Sequence, residues 1–402
     1  MAQISALLAA TLLAWNYFIA TRISLVEYLF GGLDKVYRIH HIIGGLAYSL
    51  ILVHPMMLIF QALPNIELAV TYIMPSNDVA RTMGVFALYL FDIILIITFF
   101  IKVPYHIWKL THNLIGVPLI IVFTHVLLIS SDVARYIPLR FWMLTLLGLA
   151  IFCYIYKRFF YIKFGPRYEY VIKKMVKLGD PNLINKRSSK ATLINELWLK
   201  PLSKPLKYKP GQFGFIKFAS KSVSDELHPF SFSGSEGELL RVSIKESGDF
   251  TDNLSKLATG EKLTIYGPHG AFFEKFFAKK KDVVFIAGGI GVTPFLALLR
   301  SIQLDLSRKI NLYYTVSNAS EAVYAKELEQ MAIKNSINFK LVLTENGNRL
   351  NATQINQEVD NLADRIIFMC GPISMMRDLA KQFNSLGIKN ENLIYEEFSL
   401  RE

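Results

Sequence analysis

Two apolar stretches with histidines near both ends constrain this chain more than any other feature. They are R-I-H-H-I-I-G-G-L-A-Y-S-L-I-L-V-H-P, from Arg38 to Pro55, and T-H-N-L-I-G-V-P-L-I-I-V-F-T-H-V, from Thr111 to Val126. Each is long enough to cross a bilayer, where an ionisable side chain is expensive and marks function by default. At about 100° per residue, His54, fourteen residues after His40, returns to within about 40° of it, whereas His41 points about 140° away. His40 and His54 therefore share a face. His112 and His125 are thirteen apart and share one only if the helix is distorted, for which Pro118 between them supplies a cause. A rise of about 1.5 Å per residue sets the two imidazoles of each stretch roughly 20 Å apart, about two thirds of the hydrocarbon core. Neutral imidazole ligates haem iron, so two such helices suit a stacked pair of haems with His40, His54, His112 and His125 as metal ligands. The plainer alternative is four histidines scattered near the membrane interface.

With 52% hydrophobic and 19% charged residues among 402, the chain is too apolar for an ordinary soluble protein, and the excess lies before about residue 165. Five stretches read as spans of a multi-pass membrane protein embedded in the lipid bilayer: residues 3–20, 40–60, 83–101, 112–130 and 141–162. The first lacks the basic start and small-residue cleavage site of a signal peptide and is expected to remain a helix. Arg22, Lys35, Arg38, Lys102, Lys109, Lys157, Arg158, Lys163 and Arg167 crowd the connections on one side, against Arg81, Arg135 and Arg140 on the other. The positive-inside rule then puts the soluble half in the cytoplasm of a cell (plasma) membrane protein, with His40 level with His112 and His54 with His125. The net charge of +12 is spread over membrane ends and soluble surfaces, which speaks against a nucleic-acid partner. Two cysteines, Cys153 and Cys370, support neither a disulfide framework nor an iron–sulfur cluster.

After Phe164-Gly165-Pro166 the pattern changes to short alternating strands separated by Gly, Pro, Asn and Ser turns, as in a small antiparallel barrel. From Lys281 strands alternate with helices, the pattern of a parallel, doubly wound α/β sheet. The expected fold is thus multi-domain: an α-helical transmembrane bundle over 1–164, an antiparallel β-barrel over 165–276 and a nucleotide-binding α/β domain over 277–402. In A-G-G-I-G-V-T-P, Gly288, Gly289 and Gly291 let backbone approach a pyrophosphate, Thr293 can offer a hydroxyl and Pro294 suits an early helix position. A plain tight turn is the alternative. C-G-P, Cys370, Gly371 and Pro372, ends another parallel strand, where ligands of such sheets lie, although Cys370 also suits a small core position. H-P-F-S-F-S from His228, followed by I-K-E-S-G-D-F-T-D-N-L from Ile244, offers aromatic surface for a flat ring and amide donors for a diphosphate, which points to flavin. Phe230 and Phe232 also suit a core, and His228 a surface. After L-Y-Y-T-V the residues Ser317, Asn318, Tyr324 and Lys326 form a neutral-to-basic set suited to the 2′-phosphate of NADPH, while Glu321 close by leaves NADH open as a second donor.

Together these motifs resemble the NADPH oxidase and ferric-chelate reductase superfamily, in particular bacterial NADPH oxidase-like proteins, over nearly the whole chain. H-P-F-S (His228, Pro229, Phe230, Ser231) is similar to that family's flavin-ring motif, and I-K-E-S-G-D-F-T, with Ile244, Lys245, Gly248 and Thr251, to its flavin-diphosphate segment. Y-G-P-H-G, from Tyr266 to Gly270, resembles its barrel-end loop, and G-G-I-G-V-T-P with C-G-P its nicotinamide-dinucleotide motifs. The four histidines match its haem ligands. The family core has six spans where this sequence shows five, with one helix rather than two before His40.

The resemblance implies that NADPH gives a hydride to FAD, and that electrons pass singly through an inner and an outer b-type haem to dioxygen outside, producing superoxide. Alternatives are a ferric-chelate reductase and an electron-delivery subunit for an extracytoplasmic redox partner. Short outer connections favour a small-molecule acceptor over a docked protein. The sequence has no D-x-D-x-D-G calcium loop and no Pro-rich tail, so no obligatory cytosolic activator is expected. The final stretch, Ile394 to Glu402, resembles the family's carboxyl-terminal aromatic segment, which implies that Phe398 stacks on the flavin and gates the nicotinamide, the one residue expected to act at the reacting atoms.

Overall fold

Backbone in lipid must satisfy its own hydrogen bonds, and long apolar runs do so as helices. Among the described residues five helices are long and apolar enough to cross a membrane: Ala2–Ile19, Leu33–Ala62, Val79–Phe99, Ile107–Leu128 and Ile137–Phe160, here the first to fifth spans. The computed structural model describes residues 1–130, 132–179, 193–301, 308–345 and 347–396. The second span starts seven residues before the expected 40, because Asp34, Lys35 and Arg38 belong to its helix although they are too polar for its apolar run. The first span packs on the second and fifth, and the third on the fourth. Their shared core includes Leu13, Tyr17, Phe91, Leu119 and Leu147. The second span is the least covered by protein, with only Leu33, Val36, Ala47 and Ala62 buried among its thirty residues.

The fourth span is broken where Pro118 predicts a distortion, into Tyr105–Asn113 and Gly116–Leu128. A proline nitrogen cannot donate to the carbonyl four residues back, so the turn before it loses a bond. Two tyrosines cover neighbouring carbonyls: Tyr17 donates to Ile115 and Tyr154 to Asn113, both at 2.7 Å. Gly116 makes room for the second, since a Cβ there would stand 2.2 Å from the Tyr154 ring.

The chain divides into two units, Met1–Gly165 and Pro166–Glu402. In the second, β1 (Arg167–Leu178), β2 (Ile194–Pro201), β3 (Phe213–Ala219), β4 (His228–Glu236), β5 (Leu239–Lys245) and β6 (Lys262–His269) close into an antiparallel barrel of order β1-β2-β5-β4-β3-β6. Inward-facing Ile172, Leu197, Ile216, Phe232, Val242 and Ile265 fill it. There follow β7 (Val283–Gly288), β8 (Ile310–Val316), β9 (Asn338–Leu343), β10 (Ile366–Cys370) and β11 (Leu393–Tyr395), all parallel, in the order β11-β10-β7-β8-β9. Every residue of β7, β8 and β10 is buried, as expected of strands covered by helices on both faces. The sheet grows outward from β7 in both directions, so its topological switch point lies between β7 and β10, where ligands of such folds bind. The expected barrel and α/β domains thus sit within one compact unit, and the bundle ends one residue beyond the expected 164.

Candidate functional site

In the bundle, the four expected ligand histidines share one arrangement. The His54 ring Nδ1 lies 2.9 Å from the Ala2 carbonyl, His125 Nδ1 2.7 Å from that of Ala80, and His40 Nδ1 3.4 Å from that of Asn16. Each nitrogen must donate to its carbonyl. His112 Nδ1 lies 3.4 Å from Thr98 Oγ1, whose own proton goes to the Ile94 carbonyl at 2.7 Å, so here too the ring donates. Each tautomer is fixed, and Nε2 is left with its lone pair, as a metal-bound histidine requires. The His40 and His112 ring centroids are 6.2 Å apart. Two imidazoles on opposite sides of one metal, each at about 2.0 Å, would have centroids about 6 Å apart. His54 and His125 are anchored at the other end, on the Ala2 and Ala80 carbonyls where the first and third spans begin. Among the described residues no group of three or more His, Cys, Asp or Glu side chains could hold a bare ion, so paired histidines suit a group that brings its own equatorial ligands.

The surroundings agree. Trp108 stacks on His112 with centroids 5.3 Å apart. Gly84 leaves space for the His125 ring, whose Cε1 would stand 3.0 Å from a Cβ there. His41 is exposed, as its helical phase predicts. At the end of the bundle that holds His40 and His112, Lys157 Nζ is buried without a hydrogen-bond partner, 4.2 Å from the centroid of the Tyr161 ring, with the Arg22 guanidinium 6.0 Å from the same ring. That basic surrounding suits carboxylates such as those a haem carries.

In the barrel, β4 and the Asp249–Asn253 turn bring the two flavin motifs together. The His228 ring stacks on Phe250 at 3.7 Å, and Phe230 lies 6.4 Å from both. His228 Nε2 bonds Glu226 at 2.9 Å. His228, Pro229, Phe230 and Ser231 are all half-buried, a partly open edge of aromatic rings suited to a flat ligand, whereas Phe232 is core. Phe250 was the aromatic missed in the sequence, although D-F-T carried it. Two of the expected residues turn their side chains away from a ligand and present backbone instead. Ile244 is buried in the barrel core, leaving only its backbone for a ligand, because strand alternation turns it inward. Thr251 Oγ1 is engaged in its own turn, accepting from Ser247 N at 2.8 Å and donating to the Gly248 carbonyl at 3.1 Å. Lys245 lies 4.0 Å from Glu321, and Gly248 has open space about it.

At the switch point the glycine turn meets C-G-P, since Cys370 pairs with Ala287. A Cβ on Gly291 would stand 2.3 Å from the Cys370 carbonyl oxygen, and one on Gly288 2.8 Å from Pro372 Cδ. These two glycines therefore serve close packing of two loops. Gly289, at φ +55° with open space around it, is the one available for close approach to a ligand. Thr293 and Pro294 are buried, and the Thr293 hydroxyl donates to the Ile290 carbonyl at 3.1 Å, so the expected hydroxyl is not offered. Burial, then the Glu396 carboxylate, pushes the Cys370 thiol up, which keeps it protonated. Gly371, at φ +159°, passes beside Gly288. Ser317 is half-buried at the carboxyl end of β8 and Lys326 exposed at the start of Ala325–Lys334. Tyr324, expected beside them, is buried instead, with its hydroxyl 3.2 Å from Glu196. Helical phase explains it: Tyr324 precedes the helix on its inner side. Phe398 lies outside the described residues.

Glu196 centres a network the sequence did not disclose. Its carboxylate accepts from Arg241 at 2.6 Å and Ser243 at 3.1 Å, and lies 3.5 Å from Arg300. Arg300 also holds Glu327 through two bonds of 2.7 Å and donates to the Ser233 carbonyl at 2.8 Å. Gly234, at φ +148°, admits the Arg300 side chain, whose Cδ a Cβ there would meet at 2.8 Å. The network joins the barrel to the nucleotide sheet within the second unit.

Residues 5–124 match the family described as ferric reductase like transmembrane component, 183–292 an FAD-binding domain and 285–381 an oxidoreductase NAD-binding domain. The flavohemoprotein of Vibrio cholerae is 27% identical over 210 residues, covering 48% of this chain and 52% of its own length. A superoxide-generating NADPH oxidase heavy chain of Dictyostelium discoideum is 29% identical over 174 residues, covering 37% of this chain and 32% of its own. The chain thus spans about half or less of the length of these relatives. A solved flavohemoglobin from Malassezia yamatoensis, with bound FAD and heme, aligns with a TM-score of 0.53 at 20% identity over 88% of this chain and 95% of that one, a likeness of fold alone.

Proposed function

Because this membrane protein has the architecture of the NADPH oxidase and ferric reductase superfamily, a ferric-reductase-like membrane component followed by FAD- and NAD-binding domains, we propose that it carries electrons across the membrane from NADPH to dioxygen, forming superoxide. The observation that carries the reading is the set of four imidazoles whose Nδ1 atoms are all turned to oxygen acceptors at two levels. His40 with His112 and His54 with His125 would hold two b-type haems, and these with FAD and nicotinamide would supply hydride transfer followed by single-electron transfer. The chain's own part is to fix those rings, to offer the His228, Phe230 and Phe250 edge to the flavin and to leave Gly289 open beside the dinucleotide. Lys326 and Ser317 favour the 2′-phosphate of NADPH, and Glu321, buried and 4.0 Å from Lys245, is not offered to the ribose of NADH. Positive residues flanking the spans favour a plasma-membrane orientation with the soluble unit in the cytoplasm.

Purified full-length protein given FAD and NADPH should reduce a cytochrome c probe largely in a superoxide-dismutase-sensitive way, faster than with NADH and without added cell extract. Reduction that is insensitive to the dismutase but rises with ferric chelate would decide for a ferric-chelate reductase. Phe398 is carried into this reading as the flavin-side gate. Phe398→Ala should speed or slow NADPH-to-flavin transfer several-fold and loosen the choice between NADPH and NADH while leaving haem spectra intact. Unchanged transfer kinetics and nicotinamide preference would remove that role.

A further inference from the structure

Asp92 is a carboxyl group at mid-depth in the third span, and Tyr48 of the second span donates to its Oδ1 at 3.0 Å. Asp92 lies eight residues beyond Gly84, which faces His125, and six before Thr98, which faces His112. Tyr48 lies eight residues after His40 and six before His54. At about 1.5 Å per residue, Asp92 and Tyr48 each stand roughly 9–12 Å along their helix axes from both histidine levels, between them. Turns of about 80° and 120° from the histidine-facing positions set it on the flank of that column.

Other titratable groups near the third span are engaged elsewhere. His125 of Gly116–Leu128 is held at Ala80, and His112 of Tyr105–Asn113 at Thr98. Lys109, on the same short helix, lies three residues before His112, towards the end of the bundle, and Tyr89 of the third span itself donates to the Ile73 carbonyl. Among the described residues no salt bridge reaches Asp92. The proton donated by the Tyr48 phenol stabilises Asp92 as a carboxylate, whereas hydrocarbon around it and negative charge arriving beside it favour the protonated form, so the two states are balanced against each other.

Resting on the two-haem reading above, we propose that Asp92, held by Tyr48, is a redox-linked proton site. When an electron enters the bundle, the Asp92 carboxylate takes one proton from a hydronium ion of the solvent, whose O–H bond breaks to leave water as the carboxyl O–H bond forms. When the electron leaves towards the outer side, the proton is released to water. One electron and one proton arrive together and depart together, so the charge of the bundle interior is conserved.

The test is a spectroelectrochemical titration of the haems in full-length protein between pH 6 and 9, with haem content measured alongside. At least one midpoint potential should fall as pH rises, with a slope approaching 59 mV per pH unit, the one-electron equivalent of a tenfold change in proton activity. In Asp92→Asn the slope should vanish with haem content intact. In Tyr48→Phe it should persist, with the bend moved to higher pH because the carboxylate has lost its donor. Infrared difference spectra should show a protonated-carboxyl band on reduction in the wild type and none in Asp92→Asn. Full haem content with flat potentials, or a wild-type slope in Asp92→Asn, would overturn the role of Asp92. A wild-type protein without haem would overturn the two-haem reading and this inference with it.

Discussion

Replacing either His54 or His125 with alanine should leave the purified protein with one haem where the wild type binds two, read as the ratio of haem to protein. These imidazoles are held by backbone carbonyls, Ala2 for His54 and Ala80 for His125, at the end of the bundle where the first and third spans begin. Loss of a partner that merely orients a ligand typically costs 10–100-fold in affinity, about the cost of one good hydrogen bond, and loss of the ligand itself costs more. The remaining haem, between His40 and His112, should keep its low-spin absorption, because its ligands are anchored separately on Asn16 and Thr98. His41→Ala is the control: that side chain is exposed and its ring donates to none of these acceptors, so both haems should stay. Two haems in both outer variants, or loss of one in His41→Ala, would show that the ligand set is wrong.

Much of this site was legible because helices and strands impose short periods on the sequence. Fourteen residues separate His40 from His54, close to a whole number of turns, and Pro118 announced the break that lets His112 and His125 serve one face. The glycine turn and C-G-P could be placed because parallel strands end in loops at one edge of a sheet. What escaped was decided by burial across long separations. Tyr324 and Lys326 are neighbours in sequence and equally suited to a phosphate, but one turns inward to Glu196 and the other outward to solvent. The side chains of Thr293 and Ile244 turn inward for the same reason, since which side of an element is covered decides what a residue can offer. The Tyr48–Asp92 bond joins two spans, and only the acid inside an apolar run gave a signal. Glu196 and Arg300 are over a hundred residues apart and joined by no local pattern.

Glu196→Leu should destabilise the second unit by about 3–5 kcal/mol, the cost of stranding buried charge, and lower its unfolding temperature by roughly 10 °C. The Glu196 side chain is 5% exposed and that of Arg300 4%. Without the carboxylate, Arg300 keeps Glu327, but Arg241 and the Tyr324 hydroxyl lose their acceptor. Burial alone would push the Glu196 carboxyl up; the charges of Arg300 and Arg241, with hydrogen bonds from Arg241 and Ser243, outweigh it and hold the group below its ordinary value of 4.5. A carboxyl depressed in the folded state contributes stability that is fully present above its unfolded value and is lost as pH falls through the folded one. Wild-type protein should therefore release FAD steeply below about pH 4.5, and Glu196→Leu should release it at lower temperature at neutral pH with a shallower acid dependence. Flavin fluorescence reads this unit while haem absorbance follows the bundle, so full-length protein serves for both. Adding Arg300→Leu to Glu196→Leu separates two causes: stranded charge predicts partial recovery of stability, whereas lost packing predicts a further fall. Unchanged unfolding and an unchanged acid profile in Glu196→Leu would show that the network does not hold the barrel to the nucleotide sheet.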